Sequence, residues 1–223
     1  MKLQVTLDTM SVEAGIELLR DVAPYVDVIE VGNPLLLDAG MDAISEVKRA
    51  FPHVEVLADT KIWHDGTRIA ASAFSRGADM VTILGGTTDA EVEAVVSYAE
   101  AHDGAVAADL SGVPSIVQRA SELEDLGVRY MMVPSGLRRD NPKDDDAFHR
   151  NTRAMGGNPL ALVRNVMRGL SSTTEVAVVD NITLDNLDAV LATHPGVLLV
   201  GRAILAATQP AEAAAEFKRR MGA

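Results

Sequence analysis

Apolar and polar positions along the chain follow two alternating patterns. Short apolar segments rich in β-branched residues are separated by segments whose apolar residues recur every three or four positions, as Val12, Ile16 and Leu19 do. The first pattern is typical of buried strands and the second of amphipathic helices. The alternation predicts eight strands, at Leu3–Asp8, Val26–Val31, Val54–Asp59, Asp79–Leu84, Ala105–Leu110, Val128–Val133, Glu175–Asp180 and Val197–Val200.

Most of these predicted strands begin 22 to 28 residues after the preceding one, which is the length of one strand–helix unit. Continuous apolar strands that alternate with helices form parallel sheets covered on both faces. Eight such units close into a (β/α)8 barrel, so we expect an α/β fold with a single TIM-barrel domain over residues 1–223. An open doubly wound sheet is the alternative. The count of units and the lack of a G-x-G-x-x-G motif after the first strand disfavour it.

One interval between strands is longer than the others. Pro134–Gly157, after the sixth predicted strand, is polar and carries little apolar pattern. In a barrel, the loops that follow strands lie at the active-site end, so this segment is a candidate lid over the site. A surface insertion without function is the alternative.

Composition excludes several classes of function. The chain has 32 acidic and 20 basic residues, a formal net charge of −12, so we expect no binding to nucleic acid or to an anionic membrane surface. The lack of cysteine excludes a disulfide scaffold, thiolate catalysis and cysteine-ligated metals. The sequence carries no signal-peptide pattern and no apolar stretch near the ~20 residues of a membrane helix, so we expect a cytoplasmic protein.

Charged side chains gather at the ends of the predicted strands, where a barrel places its active site. Carboxylates that converge there cannot all remain charged and unpaired, and a divalent cation together with a lysine would resolve the conflict. Two of them follow adjacent strands, and carboxylate oxygens suit Mg²⁺. The lysine lies two positions after one of these carboxylates, so it is expected on the same strand face. The set is Asp8, Glu30, Asp59, Lys61, Asp109 and Asp180.

Simpler explanations remain open for some of these residues. Asp8 could cap the next helix, and Asp59 with Lys61 could form a structural ion pair. At the end of the last predicted strand, Gly201 and Arg202 could bind a phosphate through backbone and guanidinium donors. A turn with a surface arginine is the alternative there.

Six segments stand in order along the chain: LQVTLD, VDVIEVGNPLLLDAGMDAI, LADTKIWHDG, GADMVTILG, AADLSGV and VGRAI. Together they resemble the orotidine-5′-monophosphate decarboxylase superfamily, in particular the branch that holds 3-hexulose-6-phosphate synthase and 3-keto-L-gulonate-6-phosphate decarboxylase. The likeness covers almost the whole chain. It implies a (β/α)8 barrel, a homodimer with active sites at the subunit interface, a phosphorylated sugar substrate, and Mg²⁺ that stabilises an enediolate.

The resemblance also implies roles for individual residues. Glu30 and Asp59 match the family's metal-binding carboxylates, and Lys61 matches its catalytic lysine. Asp109 matches an acidic position after strand five, where the synthases have Asp and the decarboxylases tend to have Glu. The residue matched to the sugar contact is Asp8.

The phosphate-binding part of the family pattern is only partly kept. Gly201 and Arg202 match it. After strand seven the relatives have Gly-Gly-Ile, whereas this chain has Asp180, Asn181 and Ile182, and we expect Asn181 to take part in substrate binding. After strand six the relatives resemble V-H-R, which this chain lacks. Four residues of the long loop could replace the lost donors: Arg138, Arg139, His149 and Arg150.

The family motif D-x-K-x-x-D is altered as well. Its last position is His64 in this chain, and Asp65 follows one residue later. In the family this aspartate reaches into the partner subunit's site. We expect Asp65 to form an acid–base pair with Lys61, placed by a one-residue bulge at Ile62–Trp63. The alternatives are that His64 has taken the position, or that Asp65 only caps the next helix.

The leading hypothesis is a Mg²⁺-dependent phosphosugar lyase that works through an enediolate and is an aldolase of the hexulose-6-phosphate synthase type. A decarboxylase of the 3-keto-L-gulonate-6-phosphate type is the first alternative. A pentulose-phosphate isomerase or epimerase and a non-catalytic phosphosugar-binding relative are the others. Trp63, the only tryptophan, leads us to expect the segment Trp63–Thr67 at a homodimer interface.

Overall fold

The computed structural model describes residues 1–8, 11–137 and 159–222. Within them, eight parallel strands form a closed barrel in chain order, and the last strand pairs with the first. This confirms the predicted (β/α)8 fold. The strands are β1 Lys2–Leu7, β2 Val28–Val31, β3 Glu55–Ile62, β4 Met80–Leu84, β5 Ala105–Asp109, β6 Tyr130–Pro134, β7 Glu175–Val179 and β8 Val197–Leu199.

Helices follow the strands and cover the outside of the barrel. They are α1 Val12–Val22, α2 Asn33–Ala39, α3 Asp42–Ala50, α4 Gly66–Phe74, α5 Asp89–Glu100, α6 Ile116–Asp125, α7 Pro159–Gly169, α8 Leu187–Leu191, α9 Arg202–Leu205 and α10 Pro210–Arg220, with a short 3₁₀ helix at Ala23–Tyr25. In the part of the chain described, no helix combines the length and the apolar character that a bilayer crossing requires.

Successive strand residues point to opposite sides of the barrel wall, and both sides are buried. In β2, Ile29 and Val31 join the large outer core between strands and helices, whereas Val28 joins a smaller inner core. Burial on both sides is the reason why the strands appear in the sequence as continuous apolar segments. The inner core consists of Val28, Leu57, Met80, Ala107, Tyr130, Met132, Ala177, Val179 and Val197.

Strand β3 differs from its prediction. It continues three residues beyond the expected end at Asp59, and its register against β4 shifts between Ala58 and Ile62. Because Ile62 still pairs with Ile83, the irregularity lies before Ile62, not at the bulge expected at Ile62–Trp63. The reason is a set of hydrogen bonds from β4, described below, that holds the backbone in this segment.

The two ends of the barrel carry different chemistry. We call the end where the strands finish the mouth, and the end where they begin the floor. At the floor, Lys2 lies between Glu55 and Glu175, with N–O distances of 3.2 and 3.3 Å. The segment expected to form a lid over the mouth, Pro134–Gly157, lies outside the described residues from position 138 onward, and so do the four donors predicted within it.

Candidate active site

A cavity of about 520 Å³ opens at the mouth of the barrel. Five carboxylates line it against two cationic side chains, so its lining is acidic among the residues that the structure describes. The lining residues are Thr6, Asp8, Glu30, Pro34, Asp59, Lys61, Asp109, Ser111, Met132, Val179, Asp180, Leu199, Gly201, Arg202, Leu205 and Ala206.

Lys61 forms the centre of the charged cluster. Its Nζ lies 2.8 Å from Asp109 Oδ2 and 3.2 Å from Asp59 Oδ2. Burial lowers the pKa of this ammonium group, but the charges and hydrogen bonds of Asp109 and Asp59 outweigh burial, so the pKa is raised above its ordinary value. Lys61 is therefore a firmly protonated donor that two carboxylates hold in the cavity.

A threonine of the neighbouring strand fixes both Lys61 and Asp59. The Thr82 hydroxyl accepts a hydrogen bond from the Lys61 backbone N–H at 2.8 Å and donates one to Asp59 Oδ1, also at 2.8 Å. Lys61 has a φ of 45°, a left-handed conformation that is costly for a residue with a side chain. The hydrogen bond from its N–H to Thr82 supports this conformation, and the backbone irregularity of β3 follows from it.

Backbone donors hold the remaining carboxylate oxygens of the cluster. Asp59 Oδ2 accepts a hydrogen bond from the Asn33 N–H at 3.2 Å, and the Asn33 side chain donates to the Asp59 carbonyl at 3.1 Å. Asp109 Oδ1 accepts from the Ser111 N–H at 2.8 Å. Both carboxylates are thus oriented before any ligand is present.

Glu30 is the most deeply placed carboxylate of the cavity. It is 4% exposed, and its Oε2 accepts a hydrogen bond from Gln4 Nε2. Burial first, and then the charge of Asp59, raise the pKa of Glu30 well above its ordinary value. A carboxylate in this position is therefore costly to ionise unless a cation compensates its charge.

The donor set fits a magnesium ion. Among the residues described, no group of three or more His, Asp or Glu side chains could hold a metal by itself. Mg²⁺ does not require such a group, since it is usually bound through one or two carboxylates together with water and substrate oxygens. Glu30 and Asp59, both 4% exposed and both open to the cavity, are the two carboxylates that could serve.

Two glycines allow close approach of the backbone at the other side of the cavity. A side chain on Gly32 would clash with Asp8 Oδ1 and lie 2.7 Å from the Leu7 carbonyl oxygen. The Thr6 hydroxyl donates to Asp8 at 3.0 Å, so Asp8 is held toward the cavity. Gly201 packs against Thr6 and is followed by Arg202, which is exposed at the rim at the start of the one-turn helix α9.

With this geometry in view, known proteins were compared with the chain. A family model described as "Orotidine 5'-phosphate decarboxylase / HUMPS family" matches residues 1–217. The chain belongs to this family. The expected family relationship is thereby confirmed.

Relatives within the family match the chain over nearly its whole length. A 3-hexulose-6-phosphate synthase from Bacillus subtilis (strain 168) is 33% identical over 219 residues, which are 98% of each chain. A crystal structure of 3-hexulose-6-phosphate synthase has a TM-score of 0.84 at 34% identity and covers 98% of this chain and 99% of its own. A crystal structure of KGPDC from Streptococcus mutans, determined as a complex, has a TM-score of 0.83 at 25% identity, with coverages of 99% and 97%.

This family member brings most of the predicted site residues together. Seven of them line the cavity: Asp8, Glu30, Asp59, Lys61, Asp109, Gly201 and Arg202. Asn181 is outside the lining. Its side chain donates to the Leu137 carbonyl at 3.0 Å and so ties the end of β7 to the segment after β6. Asp180, its neighbour, lines the cavity, and both have left-handed φ values of 70° and 53°.

His64 and Asp65 lie elsewhere in the single chain. Both are exposed and outside the cavity lining, and His64 Nδ1 lies 3.5 Å from Asp65 Oδ2. Asp65 is the N-cap residue of α4, but its side chain makes no capping hydrogen bond. The expected pair of Lys61 with Asp65 is not formed within one chain, because Asp59 and Asp109 occupy the lysine. Trp63, beside them, is 55% exposed.

Four residues that shape the site were missed in the sequence: Gln4, Asn33, Thr82 and Tyr130. Gln4 and Thr82 stand in otherwise apolar strands, at positions that alternate with outward-facing residues and so point into the barrel. A polar residue at an inward position of an apolar strand is the signal that could have identified them.

Proposed function

We propose that this chain is a Mg²⁺-dependent carbon–carbon lyase of the hexulose-6-phosphate synthase type, which acts on a phosphorylated ketose through an enediolate. The observation that carries the proposal is the Lys61 ammonium held between Asp59 and Asp109 in a cavity that also contains the buried Glu30. The synthase relatives that match 98% of the chain support the substrate class.

The name of the relatives' substrate defines the bond that breaks. In a 3-hexulose 6-phosphate, the carbonyl is at C3 and a hydroxyl is at C1, so aldol cleavage breaks the C1–C2 bond. The C1 hydroxyl loses its proton, C1 leaves as formaldehyde, and the bonding electrons form an enediolate over C2 and C3. Protonation at C2 completes a five-carbon ketose phosphate, and synthesis is the reverse.

Glu30 and Asp59 are the residues that would hold Mg²⁺. When bound, the ion supplies Lewis-acid stabilisation of the enediolate oxygens. The acidic lining supports this assignment, because an anionic phosphosugar would otherwise meet an excess of carboxylates. Thr82 and Gln4 would orient the two ligands, as the hydrogen bonds to Asp59 and Glu30 indicate.

Lys61 would stabilise the developing negative charge and carry the proton at the reacting carbon. Asp109 would keep the ammonium in place, since it makes the shorter of the two ion pairs at 2.8 Å. Asp8, held by Thr6, would accept a hydrogen bond from a sugar hydroxyl. These three side chains divide proton transfer, positioning and recognition among β3, β5 and β1.

At the rim, Gly201 and Arg202 would bind the phosphate. Arg202 is exposed beside the cavity and makes no ion pair with any described residue, so its guanidinium is available to an anion. Asn181 would take part through the turn that it stabilises between β7 and the segment after β6.

A homodimer with shared active sites would explain His64 and Asp65. Both are exposed beside the exposed Trp63, and a large apolar side chain at the surface favours a protein partner. Either residue of one subunit could then reach the Lys61 site of the other. Light scattering should give a dimer mass at micromolar concentration, and a monomer mass independent of concentration would contradict this. The cytoplasmic location stays a prediction.

The experiment is a product assay with 3-hexulose 6-phosphate and Mg²⁺. The proposal predicts formaldehyde and a pentulose phosphate in equal amounts, with activity lost on chelation and restored by added Mg²⁺. Release of CO₂ from a keto-acid sugar phosphate in place of formaldehyde would move the chain to the decarboxylases. Exchange of solvent hydrogen without cleavage would indicate an isomerase or epimerase, and no reaction would favour a binding protein.

A further inference from the structure

Two polar side chains lie inside the barrel beneath Glu30. Gln4 of β1 is fully buried and Tyr130 of β6 is 4% exposed, and neither lines the cavity. Tyr130 is surrounded by the apolar inner core, where a polar group without a partner would be costly. Neither residue can touch a ligand, so their retention there needs another explanation.

Their hydrogen bonds form a chain that ends on Glu30. The Tyr130 hydroxyl donates to Gln4 Oε1, and Gln4 Nε2 donates to Glu30 Oε2, each over 2.5 Å. The order of the two bonds has a consequence for the amide. Because the tyrosine hydroxyl occupies the amide oxygen, the amide NH₂ faces the carboxylate. The reverse orientation would put the amide oxygen against the carboxylate oxygen.

Rigid elements hold all three residues. Gln4 pairs with Val28 across β1 and β2, two residues before Glu30, and Tyr130 pairs with Ala107 and with Glu175 inside the sheet. Burial, together with nearby negative charges such as Glu30, raises the pKa of Tyr130 well above its ordinary value, so its hydroxyl keeps the proton that it donates. The chain of bonds thus has one fixed direction, from Tyr130 to Glu30.

We propose that Tyr130 and Gln4 are positioning residues, which hold Glu30 Oε2 toward the barrel interior and leave the other oxygen turned to the cavity for Mg²⁺. Among the described residues no donor binds Oε1, which fits this division. The proposal rests on the proposed function in one respect, that Glu30 binds the metal. It adds that the metal site is built from the far side of the barrel, through residues that never meet the substrate.

The test is the affinity for Mg²⁺ alone, measured by calorimetry on the purified chain. Tyr130→Phe removes only the hydroxyl and keeps the ring. We expect its Mg²⁺ dissociation constant to rise about 10- to 100-fold, as losses of outer-shell partners of a metal site do. Gln4→Met, similar in volume but without the amide, should show at least the same loss. Adding Tyr130→Phe to Gln4→Met should change little, because the tyrosine acts through the glutamine.

Two controls separate positioning from loss of packing. Tyr98→Phe removes a tyrosine hydroxyl outside the barrel, and Met80→Leu changes the apolar inner core without removing a hydrogen bond. Both should bind Mg²⁺ as the parent chain does. Circular dichroism and thermal unfolding establish that each variant folds, and if Gln4→Met does not fold, Tyr130→Phe decides the question.

The outcomes distinguish the two proposals. If the parent chain binds Mg²⁺ and Tyr130→Phe binds it within twofold, the positioning role is wrong and the proposed function stands. The same conclusion follows if Met80→Leu weakens binding as much as Tyr130→Phe does. If the parent chain binds no Mg²⁺ and releases no formaldehyde, the proposed function fails and the positioning role with it.

Discussion

The barrel carries the same arrangement of charges at both ends, a lysine between two carboxylates. At the floor Lys2 lies between Glu55 and Glu175, and at the mouth Lys61 lies between Asp59 and Asp109. The two lysine side chains are almost equally exposed, at 35% and 37%. Their partners differ, because the floor glutamates are 46% and 41% exposed, whereas the mouth aspartates are 6% and 8% exposed.

This difference separates a stabilising arrangement from a functional one. Exposed ion pairs are screened by water and contribute little to the free energy of folding. Buried carboxylates lose hydration, and their ion pairs are a poor means of gaining stability. Asp59 and Asp109 are retained at the mouth despite that cost, with further hydrogen bonds from Thr82, Asn33 and Ser111. We infer that the mouth is organised for chemistry and the floor for folding.

The strongest test of the comparison removes both carboxylate charges from the proposed metal site. The double variant Glu30→Gln with Asp59→Asn should weaken Mg²⁺ binding by more than ~100-fold, since loss of outer-shell partners alone costs 10- to 100-fold. The matched control is Glu55→Gln with Glu175→Gln at the floor, which should bind Mg²⁺ as the parent chain does. Equal affinities of the two double variants in calorimetry would remove the metal site from the mouth.

Exchanging each lysine in turn gives the next largest effect. Lys61→Met should lower kcat for formaldehyde release at least ~100-fold, because a group that transfers protons in the transition state is lost. Lys2→Met should leave kcat within twofold of the parent value. The comparison would collapse if the two variants had similar steady-state rates.

Arg202 tests whether the mouth also selects for phosphate. Arg202→Ala should raise KM for the phosphorylated sugar about tenfold or more, as expected for loss of a charge-assisted hydrogen bond. Arg20→Ala, which removes an exposed arginine paired with Glu17, should leave KM unchanged. The phosphate assignment is wrong if the parent chain uses the unphosphorylated sugar equally well.

The smallest effect concerns the stability supplied by the floor. Burial lowers the pKa of Lys2, but its bonds to Glu55 and Glu175 outweigh this and raise it above its ordinary value of 10.5. Its ion pairs therefore stabilise the fold at neutral pH, and this contribution fades as pH rises through the raised pKa. Lys2→Met should cost at most ~1 kcal/mol in urea unfolding at pH 7. A larger loss that persists at strongly alkaline pH would contradict the ion-pair explanation.

Much of the fold could be predicted because each strand is buried on both sides. All eight predicted strands are present, and the spacing of Asp59 and Lys61 correctly put both at the cavity. The partner of Lys61 could not be predicted in the same way. Asp109 lies 48 positions later in the chain, and the contact depends on the barrel bringing β3 and β5 together around one cavity.

Local motif arithmetic failed where the backbone departs from a regular strand. The expected bulge at Ile62–Trp63 assumed that Asp65 needed help to reach Lys61. In the structure the irregularity comes earlier, and the Thr82 hydroxyl fixes it through a hydrogen bond that no spacing rule reveals. Whether Asp65 or His64 serves a neighbouring subunit depends on a contact between chains, which the pattern of one chain does not determine.

The most direct test of the central claim is a crystal structure of the chain with Mg²⁺ and a five-carbon ketose 5-phosphate. We predict the cation at about 2.1 Å from oxygens of Glu30 and Asp59. The sugar should lie between the cation and Lys61, with its phosphate about 3 Å from the donors of Gly201 and Arg202. A cation on the floor glutamates, or a phosphosugar bound away from the mouth, would contradict the account.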